Sequence, residues 1–468
     1  MFDDPDHVMA LLQQGFAGTR MLVVGDMMLD RYLSGHILRI SPEAPVPVVH
    51  VQQEMERGGG SANVALNLAA LGLRPALAGL VGDDPEGRAL LRLLADAGVD
   101  TSPVVTLPDW PTITKTRIMG GQQRQQIVRL DREAPLASDP ARYIGQLLQN
   151  IHRYMQQESP AAIILSDYAK GVLGETVCQG IIAQARQHGV PVLVDPKGTR
   201  YTKYRGATAL SPNRAELAVA TALPIETPLD ELLSAAAGLR EEIGVDFLTV
   251  TLSEQGVALV ESDIDIQRIP TMAREVFDVS GAGDTVISTM AAGLACGLSR
   301  MDALHLANMA ASVVVARVGT VPVDRTELIA VVSAVQDVTR TGKICSQERA
   351  RIQIETWRSR GERVVFTNGC FDLLHAGHVD YLAAARRCGR RLVVGLNTDA
   401  SVRRLKGPTR PIVGEQERAR VMAALEMVDL VVLFDEETPL QLIMTLHPDV
   451  LAKGADYRMD QVVGATEV

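Results

Sequence analysis

Asp284 closes the tight part of "DVSGAGDT" (278–285), where two glycines flank an alanine at the entry to the small-residue run "TVISTMAAGLA". Gly281, Ala282 and Gly283 let backbone N–H groups approach a bound group closely. A helix start adds partial positive charge, so the stretch can serve as an anion hole. A carboxylate placed there can take the proton of an attacking hydroxyl while the N–H groups neutralise the migrating phosphoryl group. Asp is also favoured at helix starts, so capping is the competing reading of Asp284. A second candidate is "TNGCFDLLHAGH" (367–378), in which His375 and His378 stand three apart after an apolar run. On a helix they share one face near its N-terminus, the end that attracts anions, and Gly377 removes a side chain between them. That arrangement favours a triphosphate. Packing and a metal compete with it, because Cys370, His375, His378 and Cys388 formally make a two-Cys, two-His set. Their C-x4-H-x2-H-x9-C spacing lacks the paired cysteine knuckle of structural zinc sites.

The elements that must position these groups read as α/β. "MLVVGDMMLD" (21–30) reads as one buried strand ending in Asp30 at the C-terminal edge of a parallel sheet, where ligands bind. "GGGSANVALNLAALG" (58–72) is another glycine-to-helix entry, with Asn63 placed to read hydroxyls. From 160 onward, strand and helix patterns alternate, which means a doubly wound parallel sheet. Two polar, strand-like segments, 31–51 with its three prolines and 112–131, suit a small β flap outside that sheet. The pattern fades near "DVTRTGK" (337–343) and a second β-α unit begins near 362. We therefore expect a first domain over 1–336, a linker and leading helix over 337–360, and a second domain over 361–468.

Composition excludes several classes of function. The 468-residue chain is 47% hydrophobic with a formal net charge of −10, which argues against a broad nucleic-acid footprint. The acidic start "MFDDPDHV" is unlike a signal peptide, and no uninterrupted apolar stretch approaches the ~20 residues of a membrane span, so a cytoplasmic protein is expected. Five cysteines without C-x-x-C spacing read as reduced thiols. There is no G-x-x-x-x-G-K-[ST] loop, so the chain is not a P-loop enzyme.

Residues about 20–335 resemble a ribokinase-like (PfkB-type) sugar kinase, on "GGGSANVALNLAALG" and "DVSGAGDT" together. The resemblance implies a ribokinase-like doubly wound sheet with a small β lid. It makes Asp284 the base and Gly281, Ala282 and Gly283 the anion hole, and gives Asp30, Gly59, Gly60 and Asn63 to the sugar. "SPNRAE" (211–216) matches the N-x-x-E element, which implies that Asn213 and Glu216 organise Mg²⁺ and phosphate, Glu216 through water. Without the family, the same pair reads as an ordinary helix start. The resemblance also puts Thr251 in "TLSEQG" and Asn308 at the adenine and ribose walls, with Lys170 and Lys197 near phosphates.

"TNGCFDLLHAGH" resembles the H-x-G-H nucleotidyltransferase superfamily, and "GLNTDASVRRLKGPTRPI" (395–412) extends the match. The resemblance implies a Rossmann-like domain in which His375, His378, Gly369, Asp399, Lys406, Arg410 and Lys453 serve nucleotide and substrate. The order of the two halves resembles the bifunctional heptose enzymes of lipopolysaccharide core synthesis. That implies phosphorylation of D-glycero-β-D-manno-heptose 7-phosphate at O1, then adenylyl transfer from ATP to heptose 1-phosphate. ATP and Mg²⁺ would serve both steps, with a separate phosphatase as pathway partner. The competing reading is a single-activity sugar kinase whose second domain senses nucleotide. Polar flap strands with exposed edges lead us to expect a homodimer through the kinase half. In the superfamily a Ser/Thr-rich segment follows the region matching "AKGADY" (452–457). Its absence before "GATEV" leads us to expect an incomplete second domain and a weak or locally unstable adenylyltransferase.

Overall fold

Short, largely apolar runs, three of which end in a polar residue, Thr251, Asp195 and Ser166, become the strands of one eight-stranded sheet. Their order is Ile266–Ile269, Val257–Val260, Phe247–Thr251, Ala209–Leu210, Val192–Asp195, Ala162–Ser166, Arg20–Gly25 and Arg74–Ala78. The strands from Phe247–Thr251 to Arg74–Ala78 run parallel, and the first two are added antiparallel at one edge. Parallel strands covered on both faces need apolar residues at every position, and Met21 to Val24 are all buried. Leu22, Val24, Ile163, Leu165, Val192 and Val194 share a core with Leu147, Ile181 and Leu232 of the flanking helices. This computed structural model describes residues 2–120, 125–135, 140–272, 276–317, 319–340, 343–454 and 463–465. The chain divides into two compact units, Met1–Val332 and Ser333–Val468.

The run 21–30 is not one strand, which corrects the expectation for it. The sheet strand stops at Gly25, and a second strand, Met27–Ile40, leaves the main sheet. The break is at Asp26, which is fully buried and whose carboxylate accepts N–H bonds from Tyr168, Lys170 and Val172. Asp30 therefore sits in the lid, and Asp26 occupies the sheet edge. The lid is a four-stranded sheet in the order Pro47–Gly60, Met27–Ile40, Thr114–Gly120 and Gln125–Arg132. The flap segments thus pair as their polar pattern suggests, Leu29 opposite Thr114 in parallel register, although 121–124 lie outside the described residues.

The second unit holds a four-stranded parallel sheet in the order Leu430–Phe434, Arg391–Asn397, Val364–Gly369 and Val450–Leu451. Helix Gln347–Ser359 leads into it. Ser346 caps that helix by accepting from the Arg349 N–H, a contact of about 1 kcal/mol. Of the linker expected over 337–360, helix Arg325–Arg340 covers the start, and 341–342 lie outside the described residues. The expectation of an incomplete second unit concerns residues from 455 onward, most of which also lie outside them. Among the described residues no helix is long and apolar enough to cross a membrane.

Candidate active sites

Helix Ala282–Ala295 begins at Gly281, whose φ of 79° is left-handed and favours glycine. Its first turn carries Asp284, only 4% exposed. Asp284 accepts two bonds from neutral donors, Asn63 Nδ2 at 2.6 Å and the Tyr168 hydroxyl at 2.8 Å. Burial pushes its carboxyl up to about 6; the Asn63 and Tyr168 bonds resist this, Asp30 adds to it and Lys115 opposes it. A carboxylate poised near neutral pH with no cation bonded to it is suited to accept a proton. A side chain at Gly281 would collide with Asn63 Nδ2, so the glycine turn and the asparagine are fitted to one another. The Ala282 N–H turns back to the Val279 carbonyl at 3.2 Å. Gly281, Ala282, Gly283 and Asp284 line a cleft of ≈ 760 Å³ that also reaches Asn213, Glu216, Lys197, Thr251 and Asn308.

Lid residues reach the same base. The register sets Asp30 beside Arg57 and Lys115, and Tyr32 beside Arg117, which itself pairs with Arg129. Residues directly opposite across strands share a face, so Arg57, Lys115, Arg117 and Arg129 share one with Asp30 and Asp131, which pair with Arg117 and Arg129 and leave a net cationic tray. Arg117 bonds Asp30 at 2.6 Å and lies over the Tyr32 ring at 5.2 Å. Lys115 lies 5.8 Å from the centre of the Tyr168 ring. Gly59 is required here, because a Cβ would come within 2.5 Å of Asp30 Oδ2, and a Cβ on Gly60 would meet the Asp26 carbonyl at 2.4 Å.

Carboxylates gather at the C-terminal edge of the main sheet. Asp195 ends its strand, and burial, then Asp284 and Glu216, push it well above the ordinary carboxylate range. Asn213 and Glu216 form a reciprocal capping box at 2.9 and 3.0 Å, and Lys197 bonds Glu216 at 2.5 Å. Asn308 donates to the Pro270 carbonyl at 2.8 Å. Lys170 pairs with Glu133 at 2.6 Å and, like Asp30, Gly59, Gly60 and Asn63, does not line this cleft.

In the second unit, His375 is the N-cap of helix Ala376–Arg386, so it stands just before the helix rather than on it. A cavity of ≈ 690 Å³ at the strand ends is lined by Asn368, Gly369, Asp372, His378, Lys406, Arg410 and Lys453, among others. Burial holds the His378 imidazole below its ordinary value, helped by His375 and Lys406. Burial also lowers Lys453, which donates to the side-chain amide oxygen Oδ1 of Asn368. Arg410 is tied to Asp372 at 2.8 Å, and Asp372 also accepts the Ile412 and Val413 N–H groups. Asp399 does not line the cavity. It is held by Arg418, which is 1% exposed and also bonds the carbonyls of Cys370, Asn397 and Val413. Cys388 bonds the Ala384 carbonyl of the helix that precedes it, and Cys370 faces Asn397. Among the described residues no three His, Cys, Asp or Glu side chains converge as a metal cage.

Sequence reasoning missed Tyr168, Asp26, Arg117, Lys115 and Arg418. Only the "SDYAKGVL" stretch offered a signal, an aspartate and a tyrosine at a strand end.

Residues 19–326 match the model of the pfkB family carbohydrate kinases, and residues 366–466 that of cytidylyltransferase-like proteins. The chain is 58% identical over 454 residues to the bifunctional protein HldE of Magnetococcus marinus, covering 97% of this chain and 92% of that one. It is 54% identical over 450 residues to the HldE protein of Methylobacillus flagellatus, covering 96% and 91%. Among solved structures, Escherichia coli phosphofructokinase-2 in complex with fructose-6-phosphate aligns with a TM-score of 0.55 at 21% identity, over 67% of this chain and 99% of that one. Arabidopsis thaliana ribokinase complexed with ribose and ATP aligns at 0.52 and 22% identity, over 67% and 99%. At such identities the two structures establish the fold of the first unit.

Proposed function

The chain belongs to the bifunctional HldE proteins, a pfkB family carbohydrate kinase joined to a cytidylyltransferase-like unit, and we propose that it makes ADP-heptose in two of its steps. The first unit phosphorylates D-glycero-β-D-manno-heptose 7-phosphate at O1 with ATP. The second transfers adenylyl from ATP to D-glycero-β-D-manno-heptose 1-phosphate, releasing pyrophosphate and giving ADP-heptose for lipopolysaccharide core synthesis.

The observation that carries the kinase reading is Asp284, a buried carboxyl at about 6 on the cleft floor, facing a cationic lid. In this reading the O1 hydroxyl of the sugar gives its proton to Asp284 as its oxygen attacks the γ-phosphorus. The N–H groups of the Gly281, Ala282 and Gly283 turn take up charge on the transferred group, those of Gly281 and Gly283 foremost, since the Ala282 N–H is turned to the Val279 carbonyl. Asp30, Gly59, Gly60 and Asn63 hold the sugar, while the tray formed by Arg57, Lys115 and Arg117 suits a substrate that already bears a phosphate. Thr251 and Asn308 border the nucleotide, and Lys197 faces its phosphates. Lys170, tied to Glu133, is the weakest of the assigned groups.

Glu216 would hold Mg²⁺ through water with Asn213 beside it, close to Asp195, whose carboxyl burial, Asp284 and Glu216 hold well above the ordinary range. Mg²⁺ so held supplies charge neutralisation on the ATP phosphates. Few direct protein ligands are expected of such a site, because Mg²⁺ keeps several waters.

In the second unit the sugar phosphate is itself the nucleophile. Its second pKa of about 6 leaves it mostly dianionic at neutral pH, so no protein base is needed. His375, His378, Lys406, Arg410 and Lys453 orient the triphosphate and neutralise the leaving pyrophosphate, while Asp399 supports them through Arg418. The 7-phosphate must be removed between the two steps, so a separate phosphatase is a pathway partner. We place the protein in the cytoplasm, as a homodimer through the kinase lid.

A coupled ADP-release assay across a panel of sugar phosphates tests the substrate. Heptose 7-phosphate should give the highest kcat/KM. Ribose or fructose 6-phosphate outperforming it would overturn the assignment.

A further inference from the structure

Tyr168 lies 116 residues from Asp284 in sequence, yet its hydroxyl donates to Asp284 Oδ1 at 2.8 Å. Its backbone is fixed independently of that bond. The Tyr168 N–H donates to Asp26 Oδ2 at 2.9 Å, and the same buried carboxylate takes the Lys170 and Val172 N–H groups at 3.0 and 3.1 Å. On the other side of the turn, Asp167 accepts the Ala169 N–H at 2.7 Å, the Tyr204 hydroxyl at 2.6 Å and the Lys203 ammonium. Ala169 sits at φ 56°, a left-handed conformation unusual for a non-glycine residue. Such a residue persists only where its surroundings over-determine it. Two buried carboxylates thus hold a strained turn whose one side chain aimed at the base is Tyr168.

We propose that Tyr168 is a positioning residue for the kinase reaction, orienting the Asp284 carboxylate and holding it in its ionised, proton-accepting form. The inference rests on Asp284 acting as the base. Its chemistry is direct: a hydroxyl donor stabilises the charged carboxylate over the neutral acid, and the bond fixes which oxygen remains for the sugar. Tyr168 keeps its proton throughout the working range, because burial and the adjacent Asp284 push its phenol well above the ordinary value. The other groups facing Asp284 are Asn63, which is neutral, Asp30 and Lys115 from the lid, and Asp195 from the next strand. Of these, only Asn63 and Tyr168 are hydrogen-bonded to the carboxylate. Lys115 also lies over the Tyr168 ring, so the tyrosine is where the lid and the base meet.

The test is the pH dependence of kinase kcat in the full-length chain carrying Tyr168→Phe, with near-UV circular dichroism confirming the fold. Removal of the donor should move the acid limb of kcat upward by about one pH unit, the size expected when a buried charged acceptor loses one bond. The loss should be about fivefold at pH 6, approach about tenfold below pH 5 and nearly vanish by pH 8.5, with KM for ATP within about twofold. Replacing Tyr168 with 3-fluorotyrosine, a stronger donor of nearly the same shape, should move the limb downward and supplies the answer if the phenylalanine variant misfolds. An unmoved acid limb overturns the proposal, whether kcat is normal or uniformly reduced. Failure of the underlying base reading is separately visible, because Asp284→Asn would then retain near-normal kcat.

Discussion

The imidazoles of His375 and His378 stack with ring centroids 3.9 Å apart and planes 32° from one another. Phe371 packs edge-on against His378 at 5.4 Å, closing the apolar side of the pair. Two rings so close resist being charged together, and burial already depresses His378, with His375 and Lys406 adding to the effect. A triphosphate placed against them supplies the missing negative charge.

His378→Ala should therefore lower pyrophosphate release by at least about 100-fold while sugar phosphorylation stays within about twofold. Parallel assays of both reactions on one preparation check this. Titrating His378 by NMR should show its pKa rising when ATP binds. An unchanged titration would mean that the nucleotide phosphates lie elsewhere.

Asp284→Asn should reduce kinase kcat by about 10²- to 10⁴-fold and leave ATP affinity largely intact. It should also stabilise the kinase unit. The folded carboxyl titrates at about 6 against an ordinary 3.8, so protonation favours the fold and that stabilisation is complete below about pH 4. It is lost as pH rises through 6, at a cost of up to about 3 kcal/mol. Urea unfolding should show the variant more stable than its parent above pH 6, with the advantage vanishing near pH 4. Equal stability at pH 8 would contradict the burial of an ionised base.

How much of this was legible in the sequence follows from how local each feature is. Asp284 with its glycine turn, and the pair at 375 and 378, are contiguous motifs, and the element that carries each begins within the motif itself. The reading that Asn213 and Glu216 could be a helix start was also sound, since they cap one another. What escaped was built by distant pairing. Arg117 meets Asp30 across 87 residues and only through the lid register, and Tyr168 meets Asp26 through a backbone N–H that no residue type announces. The strand break at Asp26 escaped because "MLVVGDMMLD" is apolar on both sides of it. A carboxylate satisfied by three backbone donors is as compatible with burial as a leucine.

Arg117→Met should raise KM for the sugar phosphate by about 10- to 100-fold and leave KM for ATP unchanged, because a charge-assisted contact to the substrate phosphate is lost. Initial-rate kinetics with each substrate varied in turn decide it. A change confined to ATP would remove the lid from sugar recognition.

The lid exposes Leu38 at 80% and Leu130 at 54%, apolar surface of the kind that marks an interface. Sedimentation should give a homodimer, and Leu38→Glu should shift it toward monomer. A concentration-independent monomer for the parent chain would contradict this.

The account stands on one chain performing two chemically distinct transfers, and ³¹P NMR of a single reaction follows both. With heptose 7-phosphate and Mg-ATP, a new anomeric phosphate signal and ADP should appear without pyrophosphate. Adding a phosphatase that removes the 7-phosphate should then bring up pyrophosphate and the diphosphate signals of ADP-heptose together. An anomeric phosphate that accumulates with no pyrophosphate, after the 7-phosphate is gone, would contradict it and leave a sugar kinase whose second unit only binds nucleotide.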